Sequence, residues 1–121
     1  MRIICITAAG LLLAAPALAC EYPNETVSNM PNGTSATMDE MLEAQQEVRT
    51  YVEAMEGFIE CVDEEFVRIA QDEEAAAELD ETEQERFRVM VQRRDAAVEQ
   101  VQEVAEEFNQ QVRLFQERED D

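Results

Sequence analysis

Apolar residues recur every seven positions over residues 41–69, and this repeat constrains the fold more than any other feature of the chain. One position of the repeat holds Met41, Val48, Met55, Val62 and Ile69. The positions three and four residues further on hold Ala44, Tyr51 and Phe58, and Val52, Ile59 and Phe66, respectively. A repeat of this period with so wide an apolar stripe predicts a long amphipathic helix rather than a strand.

The ends of this helix are marked by capping residues. Thr37 and Glu40 form a capping box, in which each side chain can bond the backbone amide of the other residue. We predict a helix over 38–78, a tip over 79–82 and a second amphipathic helix over 83–118, capped at Asp80 or Thr82. The predicted fold is therefore all-α: a long, coiled-coil-like antiparallel two-helix hairpin over 37–118.

Residues 1–19 have the pattern of a bacterial export signal. Arg2 is the only charged residue among them, residues 3–13 are apolar, and Ala17-Leu18-Ala19 is an A-x-A cleavage site. The apolar run is too short for a transmembrane helix, which needs roughly 20 residues. We therefore predict a periplasmic or secreted protein that begins at Cys20 and has no transmembrane segment.

Cleavage would remove Cys5 and leave Cys20 and Cys61 in the mature chain. Two cysteines in an exported chain most simply form one disulfide. The alternative is a lipoprotein anchored at Cys20, but Ala17 and Leu18 stand in the reverse of the order that a lipoprotein signal prefers. Lipidation would also leave Cys61 as a lone thiol in an oxidising compartment, so we expect the disulfide.

An extended N-terminal segment is predicted over 20–36, because prolines and the Asn32-Gly33 pair interrupt any helical period. A glycine inside a helix costs about 1 kcal/mol relative to alanine, so Gly57 needs a structural reason. We expect Tyr22 and Pro23 to lie over it, with the disulfide holding the segment in place. The predicted groove for the segment consists of small residues on the first helix: Thr50, Ala54 and Gly57.

Glu65 and Arg94 interrupt the apolar stripes of the two helices. If the tip centres near 79–80, residues whose numbers add to about 159 face each other, and these two residues do. An ion pair between them would fix the register of the hairpin. The alternative is that the two side chains reach water independently.

The charge and composition exclude several classes of function. The chain has 29 acidic residues, nine basic residues, all of them Arg, and a net charge of −20. This excess of carboxylates repels phosphate backbones, so we expect no nucleic-acid partner. Without His or Lys, the chain has no Ser-His-Asp triad, imidazole metal site or Schiff base, and it has no Gly-rich phosphate loop. We predict no enzymatic activity and no cofactor.

Two patterns allow a metal site but have simpler explanations. Residues 72–85 are rich in carboxylates but lack the spaced loop of a calcium site, and a solvated acidic face explains them. Met38 and Met41, with Met30 nearby, could offer thioethers to copper, but methionine beside an apolar stripe usually packs in a core. We therefore predict no metal site.

A lone hairpin would leave one apolar flank uncovered, and such patches often bind partners. The predicted interaction face consists of Val52, Ile59, Phe66, Phe108, Val112 and Phe115. Its occupant would be a second copy, giving a homodimer, or an envelope protein. The predicted function is a non-enzymatic periplasmic interaction or structural protein. The alternatives are a holdase-type chaperone and a divalent-cation or copper-binding protein.

Several runs resemble a group of small exported proteobacterial proteins of unknown function. They are C-x-Y-P from Cys20, T-x-x-E-M from Thr37, V-x-x-Y-V-x-A-M-x-x-F-I-x-C from Val48, and V-A-x-x-F-N-x-Q-V-R-x-F from Val104. The resemblance covers nearly the whole mature chain and implies no activity. It does imply that Cys20 and Cys61 belong together.

Overall fold

The computed structural model describes residues 20–119, and side chains over 20–118. The predicted signal segment and its cleavage site lie outside the described residues. Within them, the chain forms three helices and no strand: α1 (Met38–Gln71), α2 (Glu73–Glu78) and α3 (Glu81–Glu119). The predicted all-α class is confirmed. No helix in the described range is both long and apolar enough to cross a membrane.

Helix α1 begins at the predicted capping box. The Glu40 amide donates to Thr37 Oγ1 at 3.2 Å, and the Thr37 amide donates to Glu40 Oε2 at 2.7 Å. These bonds satisfy two amides at the helix start, both of which would otherwise lack an intrahelical partner. Asp39 and Glu40 also place negative charge at the positive end of the helix dipole.

The predicted continuous helix over 38–78 is interrupted at Asp72. This residue has an extended backbone (φ −121°, ψ 103°), and its carboxylate accepts the amides of Glu74 and Ala75 at 3.0 and 3.3 Å. A short acidic side chain competes with the helical backbone for these amides and therefore favours a cap over a helix interior. The result is a separate short helix, α2, within the connection between the two long helices.

Helices α1 and α3 pack side by side in opposite directions. Tyr51 contacts Gln100, Asp63 contacts Arg94, and Phe66 contacts Phe87, so later positions in α1 meet earlier positions in α3. The predicted hairpin is thus partly confirmed. The main apolar core between the helices comprises Tyr51, Met55, Phe58, Val62, Met90 and Ala97.

A second core cluster lies near the far end of the helix pair from the α1–α3 connection. Ala36, Met41 and Phe115 are buried there. The Arg118 guanidinium lies 4.6 Å from the centre of the Phe115 ring and donates to the Ala36 carbonyl at 2.8 Å. A cation over an aromatic face is favourable, and here the same cation also joins the N-terminal segment to α3.

The N-terminal segment lies along both long helices and is joined to α1 by the Cys20–Cys61 disulfide, whose Cα atoms are 5.8 Å apart. This predicted disulfide is confirmed. The Tyr22 hydroxyl donates to Gln100 at 2.9 Å, and the Gly33 amide donates to Gln111 Oε1 at 2.8 Å. The segment therefore contributes apolar contacts and hydrogen bonds to the fold.

Candidate interaction surface

One flank of α1 presents apolar and acidic side chains together. A shallow pocket there is lined by Glu56, Ile59, Glu60, Asp63, Glu64 and Val67. An adjoining pocket reaches α3 and includes Phe66 and Arg94. We call the six residues of the first pocket, together with Phe66, the acidic-apolar surface.

The helix itself places these side chains together. The pocket residues follow one another at alternating intervals of three and one along α1, which puts them on one side of the helix. Val67 is 48% exposed and Phe66 is 53% exposed, whereas Ile59 is half-buried against the main core. The surface thus combines an anchored aliphatic side chain with two large apolar side chains that contact water.

Phe66 is held in place by an aromatic neighbour on the opposite helix. Its ring stacks on Phe87 with centroids 6.2 Å apart and an interplanar angle of 16°. Offset stacking of this kind adds to the contact made by apolar burial. The exposed face of Phe66 is therefore presented by two helices and does not depend on a loop.

The predicted ion pair between Glu65 and Arg94 is wrong in its acidic member. Arg94 binds Asp63 through two hydrogen bonds, from Nε to Oδ1 at 2.8 Å and from Nη2 to Oδ2 at 3.1 Å. Glu65 instead pairs with Arg68 on its own helix at 3.1 Å. The connection 72–80 centres a few residues before the predicted tip, so a residue of α3 faces an earlier position in α1 than predicted, and Arg94 binds Asp63 rather than Glu65.

The acidic neighbours of Arg94 stabilise its charged form. Hydrogen bonds to Asp63 and then to Asp95 raise the pKa of Arg94 above its ordinary value. A planar guanidinium that binds a carboxylate through two bonds also has a defined orientation. The pair therefore joins α1 to α3 at the edge of the acidic-apolar surface.

The other carboxylates of the surface are not neutralised in this way. The ion pairs among the described side chains are Arg68–Glu65, Arg88–Glu85, Arg94–Asp63 and Arg94–Asp95. None of them includes Glu56, Glu60 or Glu64, and all three residues are exposed. The surface consequently has a negative potential around its apolar centre.

The predicted groove for the N-terminal segment is only partly correct. Thr50 and Thr26 of the segment line the same pocket, but no atom outside α1's own backbone and chain neighbours lies within 4 Å of a Cβ built on Gly57. Tyr22 instead packs edge-on against Phe58, with ring centroids 5.1 Å apart. An aromatic ring between two helices offers more apolar contact than a bare glycine, which explains the different path. Ala54, the third residue of the predicted groove, is half-buried.

The predicted interaction face divides into three parts. Phe115 is 6% exposed and belongs to the second core cluster, so its inclusion was wrong. Phe108 and Val112 are half-buried against that same cluster. Val52 and Ile59 are half-buried against the main core, which leaves Phe66 as the largely exposed member. Val67 was not predicted to belong to this surface, although its spacing of eight residues from Ile59 places the two on the same side of α1.

The residues considered for metals lie in different surroundings. Met41 is buried beside Phe115, whereas Met38 is half exposed to solvent. Across residues 20–118, no three His, Cys, Asp or Glu side chains are placed to hold a metal ion.

Comparison of the chain with family models, with curated proteins and with solved structures finds no match. The resemblance to the exported proteobacterial group therefore stays a prediction.

Proposed function

We propose that this protein is a non-enzymatic binding protein of the bacterial periplasm or exterior, which holds a partner on the acidic-apolar surface. The observation that carries the proposal is the exposure of two consecutive large apolar residues of α1, Phe66 and Val67. Large apolar side chains rimmed by polar groups are typical of protein interaction sites.

The scaffold supports this proposal. The Asp63–Arg94 pair and the Phe66–Phe87 stack connect α1 to α3 at the surface, so the binding residues have defined positions before a partner arrives. A preorganised surface binds more tightly because less conformational freedom is lost on association. We further propose that α1 and α3 pack against each other as a coiled coil.

The exported location is supported by the disulfide and by the residues of the predicted signal segment, 1–19. A bridge between Cys20 and Cys61 is consistent with an oxidising compartment. The charged Arg2, the apolar run 3–13 and the A-x-A site form the pattern of a cleaved signal. A chain with neither His nor Lys also lacks the imidazole and amine groups that many acid–base and covalent mechanisms use, which favours a binding role.

Photocrosslinking in the cells that make the protein tests the proposal. A photoreactive benzoyl-phenylalanine replaces Val67 in one variant and Leu42 in a matched control. Leu42 is also on α1 and is 54% exposed, but it lies outside the acidic-apolar surface. We expect a discrete crosslinked product from position 67 only, with mass spectrometry identifying the attached chain.

Two outcomes would overturn this function. Equal crosslinking from both positions would show that exposure alone explains the products. The lack of any product from position 67, with the variant folded and expressed, would remove this surface as the binding site.

A further inference from the structure

We infer that the element bound by the acidic-apolar surface is a cationic amphipathic helix of a different polypeptide. This inference rests on the proposed function and adds the chemistry of the partner. The surface has exposed apolar residues at its centre and carboxylates around them.

The charge of the surface selects a basic partner. Four of the six residues that line its pocket are carboxylates, and three of these four have no ion-pair partner among the described side chains. An apolar residue of the partner over Ile59 and Val67 would bring its neighbouring side chains close to Glu56, Glu60 and Glu64. Lys or Arg at those places would be attracted, whereas acidic residues would be repelled.

The same charge argues against a second copy of this chain as the occupant. Each copy has a net charge of −20, and a symmetric contact would place the unpaired carboxylates of one surface against those of another. Like charges brought together at an interface oppose association. The opposite sign on a partner would instead increase the association rate and make it sensitive to salt.

The bonded backbone of α1 and the length of the surface favour a helix over an extended strand as the bound element. A strand needs backbone donors and acceptors along its length, and the backbone of α1 is already bonded within its own helix. A helix satisfies its own backbone and needs only side-chain contacts. The pocket residues form a stripe along α1 from 56 to 67, about 16 Å long, which matches roughly three turns of a second helix.

The partner helix would present one aliphatic stripe to Ile59, Phe66 and Val67. Its flanks would carry basic side chains three or four residues apart, facing the three carboxylates. Such a helix has an apolar face on one side and a basic face on the other.

Fluorescence anisotropy with defined peptides tests this inference on the complete disulfide-bonded protein. The probe is a labelled amphipathic peptide of about 18 residues, built from Leu on one face and Lys on the other. One control peptide has Glu at every Lys position. A second keeps the composition of the probe but has a central proline, which breaks the helix.

Two matched pairs of protein variants locate the binding. Val67→Ser is compared with Leu42→Ser, since both remove an exposed aliphatic side chain of α1. The triple change Glu56→Gln, Glu60→Gln and Glu64→Gln is compared with Glu99→Gln, Glu106→Gln and Glu117→Gln, which removes the same charge from exposed positions of α3. We expect the first member of each pair to weaken binding of the Lys peptide by about tenfold, and the second member to leave it nearly unchanged.

The outcomes separate this inference from the proposed function. If the Glu peptide binds as well as the Lys peptide, or the proline peptide as well as the helical one, the partner class is wrong while crosslinking at position 67 still stands. Equal weakening by the two triple variants would mean that net charge alone attracts the peptide, and would also overturn the inference. A crosslink at position 67 to a second copy of the chain would identify a homodimer and overturn it as well.

Discussion

Gly33 and Gly57 occupy opposite environments, and substitution by alanine should separate them. Gly57 lies inside α1, and a Cβ there would meet no atom within 4 Å. Gly57→Ala should therefore raise the free energy of unfolding by about 1 kcal/mol, the difference in helix propensity. Urea unfolding of the disulfide-bonded protein measures this change.

Gly33→Ala is the contrasting variant. A Cβ at Gly33 would overlap the backbone carbonyl of Gln111, so the N-terminal segment would have to move away from α3. Overpacking of this kind costs roughly 1–3 kcal/mol. A destabilising Gly57→Ala would indicate that the segment follows the path first predicted over Gly57.

Tyr51 should make the stability fall at alkaline pH. Burial, and then the charges of Tyr22 and Glu103, raise the pKa of Tyr51 above its ordinary value of 10.0. At a pH between the unfolded and folded pKa values, Tyr51 therefore keeps a proton in the folded state that it has lost in the unfolded state. The stabilisation is complete below the unfolded pKa and is lost as pH rises through the folded pKa.

The comparison of wild type with Tyr51→Phe tests this effect. Between about pH 9 and pH 11, the free energy of unfolding should fall more in the wild type than in the variant. Parallel curves would assign the alkaline loss to other groups.

At the scale of elements, the disulfide should account for a large share of the stability. It links residues separated by 41 positions, and closure of such a loop contributes roughly 4 kcal/mol in the chain-entropy view. The double variant Cys20→Ser, Cys61→Ser should lose about this amount in urea unfolding. The reduced wild-type protein is the matched control and should behave alike.

A small loss in both proteins would mean that the N-terminal segment is held by its own contacts. Those contacts are the Tyr22–Phe58 ring pair and the hydrogen bonds to Gln100 and Gln111.

At the scale of the whole molecule, the net charge of −20 should make stability depend on salt. Repulsion among the carboxylates opposes the compact state, and salt screens it. We expect the melting temperature to rise by several degrees between about 10 and 200 mM NaCl. The variant Glu106→Gln, Glu107→Gln should melt higher than the wild type at low salt and respond less to added salt. A melting temperature that falls with salt would show that ion pairs such as Asp63–Arg94 outweigh the repulsion.

Local patterns in the sequence were sufficient to predict the two long helices and the Cys20–Cys61 disulfide. The seven-residue repeat predicted α1, the Thr37 and Glu40 side chains predicted its first residue, and the cysteine count predicted the bridge. The break at Asp72 was harder to predict, since a capping side chain and a helix interior compete by small energies.

Which side chains meet depends instead on how the helices and the N-terminal segment pack. A shift of the connection by a few residues replaced Glu65 with Asp63 as the partner of Arg94, and the path of the N-terminal segment moved Tyr22 from Gly57 to Phe58. The same packing buried Phe115 and left Val67 exposed, which placed the candidate surface. Periodicity gives the face of each helix, but the register between two helices is set by the length of the turn and by contacts remote in sequence.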